Sequence, residues 1–374
     1  MNRTIIDIHV VQTVPPSNIN RDDTGSPKSA VYGGVRRARV SSQAWKRATR
    51  DAFDDLLDRS ELGVRTKQVV ELLTERITER APELAERAVE LATAVLGAAG
   101  VKLKAPRNKK DGPEESEFLL FLSNHQLDGL AELAVEAAGD ETPKIDKAAA
   151  RGRADREHSV DVALFGRMLA NLPDLNVEAA AQVAHAISVH AVANEYDYFT
   201  AVDDHKAADV TEDAGAGMIG TVEFNSATLY RYANVDVDRL HGTLGDATAT
   251  RRAVEAFVRA FVTSMPTGKQ NTFANRTLPD AVLVVARETQ PINLAGAYEE
   301  AIREGEKGGR VTGAVARLAR HADELHAAYD ETPVAAWAVG VGERGELLAE
   351  IASPVSLDGL VGGVGELVAE RSVR

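Results

Sequence analysis

Gly33 to Arg50 read GGVRRARVSSQAWKRATR, and within this stretch a period of two gives way to a helical period. From about Val31 to Val40 the pattern predicts a strand. Gly33 and Gly34 can take backbone angles closed to other residues and let a ligand approach the main chain. Arg37 and Arg39 share one face of that strand by its two-residue repeat. Ser41 or Ser42 then caps a helix expected to run to about Asp58. On this helix Gln43, Lys46, Arg47 and Arg50 follow the i, i+3, i+4, i+7 spacing and form one basic stripe. Trp45, Ala48, Ala52 and Leu56 lie opposite, where a core is expected.

A helix dipole favours acids in the first turn and bases in the last. In the predicted helix the bases come early and Asp51, Asp54, Asp55 and Asp58 come late, so local stability does not account for the order. A phosphate held between the early bases and the free amides of the helix start does account for it. The competing reading is a solvated face carrying surface ion pairs, each worth about 0–1 kcal/mol.

Outward from this centre, residues 4 to 13 read as a strand, followed by a loop through Pro15, Pro16 and Gly25. Helical patterns run from about 65 to 99 with a break at Pro82, and from about 117 to 138, separated by the exposed basic loop KLKAPRNKKDGP (102–113). A strand is expected at 159–168, a helix at 177–190, an irregular segment at 191–220 and a long strand at 221–235. Helices at 247–264, 293–304 and 311–329 alternate with strands at 281–287 and 334–340. Strands interleaved with helices indicate an α/β or α+β sheet domain, into which the nearly all-helical block from about 60 to 155 is inserted.

The formal net charge is −14, which by itself argues against a nucleic-acid ligand. Between Arg21 and Arg50, however, eight basic residues face two acids, a local +6, and the rest of the chain sums to −20. One positive stretch on an acidic protein attracts a polyanion to one place and repels it elsewhere. There is no cysteine, which removes disulfides and thiolate metal sites and fits a reducing cytoplasm. No apolar run approaches the roughly 20 residues of a bilayer span, and the start of the chain reads as a strand rather than a signal peptide. A cytoplasmic protein without membrane contact is expected.

Asp22 and Asp23 in NRDD can orient Arg36 or Arg37, serve a plain turn, or bind a divalent metal as a nuclease site. His185 and His190, like His321 and His326, are five apart, not the four of a helical metal pair. Walker, Rossmann and nucleophile-elbow motifs do not occur, nor does the aromatic signature of an RNA-recognition sheet. RNA binding here is therefore expected to rest on phosphates and shape. Tyr196, Tyr198 and Phe199 crowd a glycine- and alanine-rich segment. They either wedge between bases or dock on a neighbour, or they close a small local core. Met168, in DVALFGRM, reads as core from composition.

NRDD, GGVRRARVSSQAWKRATR, RTK (65–67), DVALFGRM, AHAISVH, DYFTAVDD, GTVEFNSATLYRYANVDV and PTGKQNTF (266–273), in this order, resemble the CasC family, the repeated backbone subunits of type I-E CRISPR Cascade complexes. The match runs to about residue 290 and is weak in the helical insertion and the last quarter. The resemblance implies an α+β fold with an RRM-like (ferredoxin-like) palm at 1–59, 156–189 and 227–374, a helical finger at 60–155 and a thumb at 190–226. It implies a non-catalytic, helically oligomerising RNA-binding protein of antiviral defence. Its partners would be CRISPR RNA, target DNA through guide pairing, further copies of itself and other Cascade subunits, with no cofactor and no metal. The implied palm contacts are Arg21, Lys28, Ser41, Gln43, Lys46 and Arg50, with Lys269 and Gln270; Arg37 and Arg39 join them from the strand reading. Phe199, Thr200 and Val202, with Met168, would stand where a guide nucleotide is displaced. Lys144, Lys147, Arg151 and Arg153 are the implied target-DNA contacts of the finger. The alternative is the type III relative's chemistry, a metal-dependent ribonuclease at Asp22 or Asp23.

Overall fold

The first strand, IIDIHVVQTVPPS, is apolar at most positions and buried along nearly its whole length, the signature of a strand covered on both faces. The computed structural model describes residues 3–106, 112–139, 143–169, 172–201, 218–303 and 309–372. In chain order the elements are β1 (Ile5–Ser17), β2 (Ser29–Tyr32), β3 (Val35–Val40), α1 (Ser42–Asp51), β4 (Gly63–Thr66), α2 (Val69–Arg80), α3 (Ala88–Ala98), β5 (Leu103–Lys104), β6 (Glu115–Ser116), β7 (Leu120–Ser123), α4 (Asn124–Glu136), α5 (Lys147–Ala154), α6 (Val160–Phe165), β8 (Ala181–Val183), β9 (Ala186–Ser188), β10 (Glu195–Ala201) and β11 (Met218–Asp236). They continue through α7 (Val237–Leu244), α8 (Ala247–Thr263), α9 (Gln270–Phe273), β12 (Ala281–Arg287), α10 (Gly309–Ala328), β13 (Ala335–Gly340), β14 (Ser353–Pro354) and α11 (Leu357–Ser372).

The chain divides into two compact units. The first comprises Met1–Ala52, Val183–Asn234 and Phe257–Leu367; the second comprises Phe53–Gln182, Val235–Ala256 and Val368–Arg374. The first unit carries a mixed sheet in the order β14-β13-β12-β1-β11-β9-β3-β2. Its pairs are antiparallel at β1–β12, β12–β13, β9–β11, β3–β9 and β2–β3, and parallel at β13–β14. Alternation along β11 sends Tyr230 and Tyr232 to one face, where they pack with Leu283, Val315 and Leu318. Leu229 on the other face joins Val40, Trp45 and Met265. The chain is thus a mixed α+β protein.

Four expectations are corrected within and beyond this sheet. The strand expected from Val31 to Val40 is a hairpin, β2–β3, turned at Gly33 and Gly34, whose φ angles are 58° and 76°. The helix expected at 177–190 is replaced by the short strands β8 and β9; β9 lies between β11 and β3, and this pairing overrides the helical preference of its alanines. The strand expected at 159–168 is α6, one short helix closed by Gly166 at φ 77°. The expected irregular segment at 191–220 contains β10, paired antiparallel with β11 from Glu195↔Phe224 to Ala201↔Met218.

In the second unit α2, α3, α4 and α5 bury one aliphatic core built on Leu73, Ile77, Leu91, Val95, Leu127 and Leu130. β4 pairs β7 at its edge. Part of the basic loop expected at 102–113, residues 107–111, lies outside the described residues.

Candidate nucleic-acid interface

α1 ends at Asp51, well short of the expected Asp58, and a separate 3-10 turn follows. Arg50 therefore occupies the last turn of α1, and Asp54 and Asp55 open the next turn, both placements that the dipole favours. The argument from charge order is withdrawn on this ground. What stands is an α1 start without acids, capped by Ser41, whose Oγ accepts from Gln43 N at 3.3 Å. Trp45 is fully buried as expected, whereas Leu56 is exposed, and Phe53 and Leu57 fill the core instead. Gln43 and Arg47 are exposed; Lys46 and Arg50 are half-buried. Burial lowers the Lys46 ammonium pKa. Arg47 makes an exposed ion pair with Asp51 at 3.6 Å, a contact of little energetic weight.

Arg37 and Arg39 separate sharply. Arg37 is fully buried and donates to the carbonyls of Tyr32, Ser188, Tyr298 and Glu299 at 2.9–3.2 Å. Its donors are spent inside the unit, so Arg37 is withdrawn as a ligand contact. Gly33 is likewise closed to a ligand, since a Cβ there would lie 1.6 Å from the Glu299 carbonyl oxygen. Arg39 stays half-buried at the surface, with Nε on the Ser29 carbonyl at 3.3 Å and Nη1 3.3 Å from His185 Nδ1.

The loop before β2 is tied to the same place by two asparagines. Asn20 Oδ1 accepts from Ser41 N at 2.8 Å, and its carbonyl accepts from Lys28 N at 3.0 Å. Lys28 in turn accepts from Arg39 N at 2.9 Å. Asn18 Nδ2 donates to the carbonyls of Gly25 and Glu223, both at 2.9 Å, linking the loop to the start of the β10–β11 hairpin. A shallow, open cleft lies here, lined among others by Asn20, Lys28, Arg39 and Asn225 over Val14 and Leu229. Gly268 packs on this loop, where a Cβ would meet the Ile19 carbonyl oxygen at 2.4 Å. The turn it begins carries Lys269, at φ 52°, and Gln270. Phe273 of α9 then packs its ring 5.8 Å from that of Phe224 on β11. The first unit thus ties Lys28, Arg39, Ser41 and the turn carrying Lys269 and Gln270 to the loop that holds Arg21, and Gln43 and Lys46 follow Ser41 on α1.

His185 is a member that the sequence reading considered only as a metal ligand and set aside on its spacing. It is exposed, and its Nδ1 accepts from Ser42 N at the start of α1 at 3.4 Å. Burial, then the charges of Arg39 and Lys28, lower its pKa below the usual histidine value. Asn18, Asn20 and His185 form no motif, and no sequence signal pointed to them.

Asp22 serves its turn: Oδ1 accepts from Thr24 N, Thr24 Oγ1 and Ser26 N at 2.7–3.0 Å, which lowers its pKa, the Thr24 hydroxyl first. The expected pairing with Arg37 does not form. Among the described residues no group of three or more histidines, aspartates and glutamates is placed to hold a metal ion, and no helix is long and apolar enough to cross a membrane.

On β10, Tyr196, Tyr198 and Thr200 alternate with Asp197 and Phe199, so the aromatics divide between two faces. Tyr196 and Tyr198 are 68% and 62% exposed, which rules out a closed local core. Phe199 lies across Gly220, its cross-strand partner, where a Cβ would meet its ring at 2.4 Å. Val202 lies outside the described residues.

In the second unit Met168 is 86% exposed, not core. It is held out by its neighbours: Arg167 is buried on the Leu175, Phe121 and Ala154 carbonyls and Asp155, and Leu169 N donates to Asn176 Oδ1 at 2.6 Å. Lys144, Lys147, Arg151 and Arg153 are all exposed at or on α5, which Asp146 caps; Arg153 pairs with Glu132 at 3.6 Å.

A mixed sheet with a basic loop and an α1 start free of acids places the chain among mixed α+β proteins with a local basic surface. A family model for CT1975-like proteins matches residues 6–361, and the chain belongs to that family. No curated protein matches the sequence. Among solved structures the chain is similar to a chain of a CRISPR RNA-guided surveillance complex in a pre-nicking state, at 36% identity and a TM-score of 0.84, covering 96% of this chain and 100% of that one. It is also similar to a chain of another CRISPR RNA-guided surveillance complex, at 31% identity and a TM-score of 0.72, covering 96% and 99%.

Proposed function

We propose that this protein is the non-catalytic, repeated backbone subunit of a type I-E Cascade surveillance complex, binding CRISPR RNA and presenting it for pairing with target DNA. The observation that carries this reading is the near full-length likeness, at 36% identity, to a chain of a CRISPR RNA-guided surveillance complex. The basic loop supports it, since Arg21, Lys28, Arg39, Lys46 and Lys269 offer phosphate contacts without base readout. In this reading the first unit is the palm, the β10–β11 hairpin is the thumb and the helices of the second unit are the finger. Phe199, Thr200, Val202 and Met168 serve at displaced guide nucleotides, and Lys144, Lys147, Arg151 and Arg153 touch target DNA. The engagement of Asp22 in its own turn favours this over a ribonuclease.

The test is expression with and without a CRISPR RNA, followed by sizing and extraction of bound nucleic acid. A guide-dependent assembly containing many copies of the chain is expected. A chain that stays monomeric beside the guide and the other Cascade subunits would overturn the reading. Regularly spaced cleavage of guide-matched RNA in Mg²⁺ would instead favour the ribonuclease.

A further inference from the structure

Arg231 of β11 is fully buried and has no acid in contact. Its guanidinium lies 3.7 Å from the centre of the Trp45 ring and 4.6 Å from that of Phe261. It donates to Gln12 Oε1 at 2.5 Å and to the Phe261 carbonyl in the last turn of α8, while its Nε has no partner. These are partial charges: an amide oxygen, a helix C-terminal carbonyl and two ring faces. They hold a cation without cancelling it. Two other buried arginines meet a carboxylate, Arg287 at Asp7 (2.8 Å) and Arg167 at Asp155 (3.3 Å). Arg37 spends its donors on four carbonyls, whereas Arg231 keeps an unpartnered Nε and lies against two ring faces.

An uncompensated buried charge is costly, and apolar replacement is often neutral or stabilising. Its position explains what it can do. Trp45, on which it stacks, is the inward residue of α1, whose neighbours Lys46 and Arg50 belong to the basic stripe. The width of a helix, about 10 Å, is all that separates this charge from an anion lying on α1. The path between them runs through protein rather than solvent, so the field is weakly screened. Gln12, the amide that orients the guanidinium, also donates to the Thr277 carbonyl and hydroxyl at 2.9 and 3.1 Å, in the segment that follows Lys269 and Gln270.

Resting on the RNA-binding reading above, we propose that Arg231 is a positioning cation of the interface: it strengthens phosphate binding through α1 without touching the guide. Burial, which lowers its pKa to about 9, still leaves it charged near neutral pH.

The test compares full-length wild type, Arg231→Met and Arg231→Lys for thermal unfolding and for binding a 30-nucleotide RNA over a salt series. The probe is unstructured RNA of mixed sequence at pH 6. Arg231→Met should melt at or above the wild-type temperature and bind roughly three- to tenfold more weakly at every salt concentration. Its log-affinity versus log-salt slope should be unchanged, because no phosphate contact is removed. Arg231→Lys, which keeps the charge but not the planar fork, should bind within twofold of wild type. A folded Met variant that binds like wild type overturns the proposal, as does one whose slope falls with its affinity. If the Met variant does not fold, Arg231→Gln, which removes the charge and keeps an amide donor, decides: a three- to tenfold loss at an unchanged salt slope supports the role, and affinity near wild type defeats it. Wild-type protein that shows no salt-dependent binding would remove the underlying reading instead.

Discussion

At the scale of residues, the basic side chains around α1 were legible because charge clusters in sequence, and the groups that hold their loop in place were not. Lys28 and Lys46 stand out against an acidic chain, but Asn20 acts through Ser41, 21 residues away, and His185 through Ser42, 143 residues away. Arg37 shows the opposite failure, for a basic residue on an exposed-looking strand turned out to be spent on four carbonyls. Replacing Lys46 and Arg50 by Ala should weaken RNA binding, at a stability cost of about 1 kcal/mol each because both side chains are half-buried. The slope of log affinity against log salt should fall by about 0.7 for each single-strand phosphate contact removed; fluorescence anisotropy over a salt series reads this directly. His185 gives a second outcome. Its lowered pKa leaves it neutral at pH 7, and a bound phosphate favours its protonated form. RNA affinity should therefore rise as pH falls below about 6.5, the ordinary histidine value, and His185→Asn should flatten that rise between pH 7 and 5.

At the scale of elements, the long strands β1, β11 and β12 announced themselves by apolar runs and length, and so did the long helices α8 and α10. The misread elements are short and decided by partners far along the chain. β9 is three residues among alanines and becomes a strand because Ile187 faces Tyr230 and Arg39. α6 is six residues in an apolar run that periodicity cannot assign. The hairpin β10–β11 depends on a pairing of a different kind, a large ring laid over a residue without a side chain. Gly220→Val would place carbon where the Phe199 ring now lies, so the ring must move and the outer pairs from Tyr198↔Thr221 to Ala201↔Met218 must loosen. Hydrogen exchange should speed up at those amides and remain unchanged at Leu229 to Val235, which are held in the sheet interior. Equal protection along the whole hairpin in the variant would contradict this account.

At the scale of the whole molecule, an acidic chain carries one basic loop, and its sheet encloses titratable groups. His9 is fully buried; burial first, then the charges of Arg287 and His326, push its pKa down to about 3. The unfolded chain binds the proton more readily, so this contribution is complete above about 6.5 and is lost as pH falls from there towards about 3, at up to about 1.4 kcal/mol per pH unit. Asp7, raised by burial, acts in the opposite sense above its ordinary value of 3.8. The difference between wild type and His9→Phe in denaturant melts at pH 4–7 isolates the histidine, and the variant should lose less stability on acidification. If the chain polymerises along a guide, lengthening the guide in steps should add whole subunits to the complex, read by native mass spectrometry; a constant mass would contradict the array. One further consequence follows from the place of β1 between β11 and β12. Ile5 must wait for Arg287, and at a synthesis rate of about 5–20 residues per second that delay is roughly 15–55 s. An amino-terminal ribbon that is apolar at most positions therefore stays without its β12 partner until most of the polypeptide has been translated. The sheet that anchors the basic loop is completed only then, and chains that stop before residue 281 lack the β12 partner of β1 altogether.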